Sequence, residues 1–216
     1  MYELIGTSVG NVYTGIVTYA DDIILMSTTL SGLQTMVNCC TKFGLENKIK
    51  FNSLKTEFII SGTSYKTDPF IYVDQVRIKP KQSLTHLGFH WLNTNRFNNA
   101  TIEQSHTQHR INELFAVTSA LINTGVRFCH PNTIFTLFNS LLLPKLLYGL
   151  ELCQLNQTSI KKLNSCARAT LKSLFDLSKH SLNILEKIAN IPSISEIIIQ
   201  KKLNLIVLLM SNERTK

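Results

Sequence analysis

Val12-Tyr13-Thr14-Gly15-Ile16-Val17-Thr18-Tyr19-Ala20-Asp21-Asp22-Ile23-Ile24-Leu25-Met26 is the stretch on which the reading of this chain turns. Its two arms, Val12 to Thr18 and Ile23 to Met26, carry the β-branched and aliphatic residues of a buried strand pair, so a β-hairpin is expected with Tyr19-Ala20-Asp21-Asp22 at its tip. Adjacent carboxylates held between apolar arms repel one another unless something neutralises them. Two hard oxygen ligands on a rigid tip suit Mg²⁺ held together with substrate phosphates. The plainer reading is ordinary turn chemistry, because Asp tolerates turn dihedrals and a hairpin tip is solvated.

Beyond the hairpin, Leu33, Met36, Val37, Cys40 and Phe43 recur at helical spacing, which predicts a helix over Ser31–Phe43 capped by Gly44. Lys55-Thr56 leads into an apolar strand expected over Glu57–Ser61, and Ser61 to Ser64 reads as a loop. A second hairpin is expected from Phe70–Val73 and Val76–Ile78, turning at Asp74-Gln75 and ended by Pro80. His86 to Trp91 reads as a short strand with Gly88 at its centre, where a bulge or the close approach of another backbone is expected. From about Asn98 the periodicity becomes helical. Helices are expected over Thr101–Asn123, from an Asn132 N-cap to a kink or end at Pro144, and over Ser159–Phe175, Ser181–Asn190 and Ser193–Asn212. The expected fold class is α+β: strands with a packed helix over residues 1–98, then an all-helical region over residues 99–216.

The formal charge of +8 is uneven. Residues 1–98 hold 9 basic and 7 acidic side chains, a net +2, and residues 99–216 hold 13 and 7, a net +6. That bias favours a polyanionic partner, of which nucleic acid is the commonest, and a merely solvated basic face is the plainer reading that charge alone leaves equally open. Five cysteines without a C-x-x-C pair point to a reducing compartment rather than a disulfide framework. His86 and His90 are spaced like a metal pair but have no acidic or cysteine companions, so no zinc site is expected. No signal peptide is visible, and the longest apolar run, Leu205 to Met210, is too short to cross a bilayer. An intracellular protein without a membrane partner is expected.

Four motifs now stand in order. Tyr19-Ala20-Asp21-Asp22 resembles the catalytic YADD box of the reverse transcriptases of LINE-type (non-long-terminal-repeat) retrotransposons. Phe43-Gly44-Leu45 with Asn52-x-x-Lys55-Thr56 is similar to that family's next block, G-L-x-x-N-x-x-K-T. His86-Leu87-Gly88 resembles its Y-L-G strand, with His for Tyr, and Leu142 to Glu151 is similar to its L-P-x-L-x-Y-G-x-E segment. The resemblance spans nearly the whole chain and implies the C-terminal part of a polymerase palm followed by a thumb-like helical region. It implies two-metal nucleotidyl transfer, with Asp21 as a Mg²⁺ ligand, Asp22 supporting it, and Lys55 near the incoming triphosphate. Tyr19 and Gly88 are then expected near the primer end, and Trp91 in the palm core. Lys161, Lys162, Arg168 and Lys172 are expected on nucleic-acid backbone. The implied partners are an RNA template, a DNA primer or RNA–DNA hybrid, deoxynucleotides, and an upstream polymerase segment.

The family pattern has a second aspartate and a Gly-rich segment many tens of residues before its YADD box. Only eighteen residues precede Tyr19, and their sole acid, Glu3, has no matching context. The expectation is that these residues alone do not polymerise DNA. A non-catalytic nucleic-acid-binding remnant and a group II intron maturase-like protein are the alternative readings.

Overall fold

The computed structural model describes residues 5–62, 68–93, 99–178 and 192–211. The fold is mixed α and β, and among the described residues every strand belongs to a two-stranded pair. The chain divides into two compact units, residues 1–84 with 92–97 and residues 85–91 with 98–216.

In the first unit, β1 (Ser8–Val9) pairs with β2 (Val12–Tyr13), and β3 (Ile16–Tyr19) pairs antiparallel with β4 (Asp22–Leu25). The long arm expected over Val12–Thr18 is therefore broken at Thr14-Gly15. There the Thr14 N–H turns back to the Thr7 carbonyl and the Gly15 carbonyl accepts from Met26. The expected burial of this pair is also not what is found. Ile16, Val17, Tyr19 and Ile23 are exposed, and only Leu25 leans on the unit's small core of Val37, Phe58, Ile71 and Val73.

Helix α1 (Leu30–Glu46) starts at Thr29, whose hydroxyl accepts the Gly32 N–H at 3.0 Å. It does not stop before Gly44. It runs through Gly44 because a Cβ there would meet the Ile49 carbonyl oxygen at 2.6 Å, so glycine serves packing rather than capping. Asn47 ends the helix with both its backbone N–H and its side-chain amide on the Phe43 carbonyl. Of the strand expected over Glu57–Ser61 only Ser61 takes part in a β-bridge, and the segment is tied by the Lys81 N–H to the Phe58 carbonyl at 2.9 Å.

β5 (Ile71–Val73) and β6 (Val76–Ile78) turn at Asp74-Gln75, both with positive φ, as a two-residue hairpin loop of this hand requires. Gln34 of α1 closes the free edge of β5. Its Oε1 accepts the Tyr72 N–H at 2.7 Å and its Nε2 donates to the Tyr72 carbonyl at 2.9 Å. An amide side chain thus copies the donor and acceptor of a neighbouring strand.

The single strand expected over His86–Trp91 is instead a hairpin, β7 (Ser83–His86) and β8 (Phe89–Leu92), with Leu87 and Gly88 as its turn at φ 48° and 75°. Gly88 supplies the left-handed backbone that this turn demands.

The second unit is built from α2 (Asn99–Asn123), α3 (Pro131–Leu137), α4 (Leu143–Leu146), α5 (Gln157–Leu174) and α6 (Ile194–Ser211). Pro131 is the first helical residue of α3, and the cap is His130, not Asn132: its Nδ1 accepts the Asn132 N–H at 3.3 Å. Between α3 and α4 the helix widens to a π-turn over Phe138–Leu142. Pro144 accounts for it, since proline offers no N–H to the preceding turn and its ring pushes that turn open. Asn156 caps α5, and Ser193 with Glu196 forms a reciprocal capping box at α6. Leu114, Leu142, Leu146, Leu150, Leu163 and Leu174 are wholly buried at the centre of one continuous apolar core. The helix expected over Ser181–Asn190 lies outside the described residues. Among those described, no helix is long and apolar enough to cross a membrane.

Candidate functional site

The carboxylate tip is the first candidate. Tyr19 pairs with Asp22 at the last rung of the β3–β4 ladder, which leaves Ala20-Asp21 as the two-residue turn. Ala20 adopts φ 51°, a region that alanine enters only under strain. Asp21 and Asp22 are both exposed, and among the described residues no cation pairs with either. Exposure changes the electrostatic argument: water screens the pair, so folding itself does not require a metal here. The donor set still fits Mg²⁺ in the manner by which that ion is held, through one or two carboxylates plus phosphate oxygens and waters. It is only part of such a site. Among the described residues no group of three or more His, Cys, Asp and Glu side chains is placed to hold a metal. Tyr19 is 63% exposed beside the turn and offers an aromatic face to solvent.

Lys55 stands on a turn built by Asn52. The Asn52 side-chain oxygen accepts the Leu54 N–H at 3.0 Å and the Lys55 N–H at 3.3 Å, and the Thr56 hydroxyl donates to the Asn52 carbonyl at 2.9 Å. The N-x-x-K-T spacing therefore has a local cause: the asparagine folds the turn that projects the lysine into solvent.

The basic helix is the second candidate. Lys161 and Arg168 are exposed on α5, and Lys172 is half-buried. Spacings of seven and four residues put these three on one stripe, spanning about 16 Å along the helix axis. Lys162 departs from that stripe, and its ammonium donates to Gln108 of α2. It is a strut between two helices. Asp21, Asp22, Tyr19 and Lys55 belong to the first unit, Gly88 and the α5 cations to the second.

Gly88 has an occupant. A Cβ there would lie 2.9 Å from Cε1 of Tyr148, so the aromatic ring fills the space that a bare backbone would offer to nucleic acid. The Tyr148 hydroxyl donates to the Leu87 carbonyl at 2.8 Å and Arg110 donates to the Gly88 carbonyl at 2.7 Å. Both carbonyls of the turn are thus clamped by side chains of the helical region. Trp91 is not in a core: it is 39% exposed and rests against Phe89.

Behind the clamp lies a residue that periodicity alone does not reveal. His106 is wholly buried on α2, stacked on Phe89 at 4.1 Å between ring centroids. Its Nδ1 accepts the His90 N–H at 3.2 Å, which leaves Nε2 as the protonated nitrogen facing the Tyr148 carbonyl at 3.0 Å. The only sequence signal is that His106, Thr107, Arg110 and Thr118 fall on the same helical stripe as Ile102, Ile111 and Leu114.

Compared with known proteins, the chain matches no family model, no curated protein and no solved structure.

Proposed function

We infer that this chain is part of an RNA-directed DNA polymerase of the LINE type, with a partial palm in its first unit and a thumb-like helical second unit. The observation that carries the reading is the exposed Asp21–Asp22 pair on a strained strand-turn-strand tip, to which no cation among the described residues is committed. In that role Asp21 would hold Mg²⁺ with Asp22 beside it, and the exposed face of Tyr19 would meet the primer end. When bound, Mg²⁺ activates a primer hydroxyl and stabilises the pyrophosphate leaving group. Lys55, projected by the Asn52 turn, would place a positive charge on the incoming triphosphate. The stripe of Lys161, Arg168 and Lys172 would grip duplex backbone, a contact that depends on salt and not on sequence.

Two measurements test this. The chain should give no primer extension on an RNA template with Mg²⁺, because the tip supplies only part of a two-metal donor set. Extension that disappears in the Asp21→Ala, Asp22→Ala double mutant would show the site to be complete. Binding to an RNA–DNA hybrid should weaken steeply with salt, and the Lys161→Glu, Arg168→Glu pair should abolish it. Hybrid binding that ignores both salt and these charges would remove the nucleic-acid reading altogether.

A further inference from the structure

The junction of β8, α2 and the Tyr148-Gly149 turn concentrates positive and protonatable groups around one buried imidazole. His106 touches the His90 backbone on one side and the Tyr148 carbonyl on the other. His109 stacks on the His90 ring at 4.7 Å, and the His90 Nδ1 lies 3.2 Å from the Thr85 hydroxyl. From α2 the facing charges are Arg110, buried, and Glu113, which pairs with Arg110 at 2.8 Å and lies 4.0 Å from His109. From the segment after the π-turn, Lys145 reaches the same Glu113 at 3.9 Å, and Tyr148 presents its ring to the Arg110 guanidinium. Glu103, one turn before His106, is turned away and accepts the Gln154 N–H. One carboxylate, Glu113, therefore faces Arg110, Lys145 and His109 together.

We propose that His106 is a proton-operated latch. A proton on Nδ1 converts the acceptor of the His90 N–H into a donor, so the backbone at His90 comes away from α2 while Arg110 and Tyr148 keep their hold on the Leu87-Gly88 turn and the apolar helical core stays folded. The energetics run in the same sense. Burial pushes the His106 imidazole below its ordinary value, the Tyr148 carbonyl works against that, and Arg110, His109 and His90 add to the depression. His90 is lowered likewise, by burial first and then by His109 and Arg110. The released form therefore binds more protons than the latched form. The latch is closed above the ordinary histidine value of about 6.5 and opens as pH falls below it. This holds whether or not the polymerase reading does.

Hydrogen exchange of the intact chain, followed amide by amide from pH 7.5 to 5 and corrected for intrinsic rates, is the test. The opening constant at the His90 amide should rise by up to about tenfold per pH unit for each of the two histidines below the histidine range, while the Leu163 and Leu171 amides keep theirs. A His90 amide that does not respond, or one that opens in step with α5, would overturn the proposal. In His106→Gln the pH response should fall to the share that His90 alone contributes, whatever the absolute level of protection, and a response as steep as in the unaltered chain would overturn the proposal. Should that variant not fold, His109→Gln carries the test: losing a neighbour that opposes protonation of the latched form must weaken the acid-driven opening and move it to lower pH. A midpoint that stays where it was sinks the latch.

Discussion

The two units solve the same problem, holding short secondary structure in place, by different means. The helical unit buries one continuous apolar core that runs from Ile111 to Ile198 and is dense enough to take in His106, Thr107, Arg110, Thr118 and Thr170. The strand-helix unit centres on four residues, Val37, Phe58, Ile71 and Val73, and stitches the rest with polar contacts. Three of its cations are engaged locally: Lys79 and Arg77 on Asp68, Lys81 on Glu57. Two-stranded hairpins are marginal without a face to pack on, and here a side-chain amide completes one strand edge while the exposed ion pairs add little. A small core spread over isolated strand pairs leaves apolar residues such as Ile16, Val17 and Ile23 in water. The catalytic-looking tip is thus carried by the less self-sufficient half of the chain.

The contrast is open to test at its strongest point. Leu146→Ala, at a wholly buried position of the helical core, should cost about 3–5 kcal/mol and lower the denaturant midpoint of the helical unit. Ile71→Ala removes a similar side chain from the small core, whose neighbours are fewer and freer to collapse, and should cost about 2–3 kcal/mol, read at the amides of α1. Equal losses in both units would show that the small core is as tightly constrained as the large one. Gln34→Leu tests the polar stitching: it deprives the Tyr72 N–H and carbonyl of their partners at an exposed edge, where water replaces them, and should cost about 0.5–1.5 kcal/mol by urea unfolding. No loss would mean that the edge clamp is ornamental. The smallest effect is expected from Thr170→Val. The hydroxyl of Thr170 is buried with no hydrogen-bond partner among the described residues, so an isosteric methyl should leave stability within about 1 kcal/mol or raise it. A larger loss would reveal a partner for that oxygen and weaken the picture of a core that merely tolerates its polar atoms.

Much of the fold is legible where one local rule acts alone. The Asp74-Gln75 turn, the end of α2 before Gly125 and the periodicity of α5 need nothing from elsewhere in the chain. Where a distant group decides, local reading fails. Gly44 reads as a cap because glycines end helices, but its role is set by Ile49 and Phe51 packed against it. Gly88 reads as mid-strand because its turn is enforced by Tyr148 and Arg110, far along the sequence. The apolar arms of β3 and β4 carry the composition of a buried pair, and composition does not say whether a covering layer exists. The candidate site divides in the same way. The spacing of Asp21, Asp22 and Lys55 is visible as sequence, whereas the roles of His106 and Arg110 depend on contacts across the helical unit.

The alanine at the carboxylate tip has one more consequence. A glycine in place of Ala20 would reach φ 51° without strain, and would also leave the turn many other conformations to visit. Alanine narrows that range, so the tip gives up part of its entropy during folding instead of at the moment something is captured by the two acids. With alanine the tip is a stiff handle, and with glycine it would be a swivel. Stiffness installed in advance would let two exposed carboxylates hold a ligand at a lower entropic cost than a swivelling tip could.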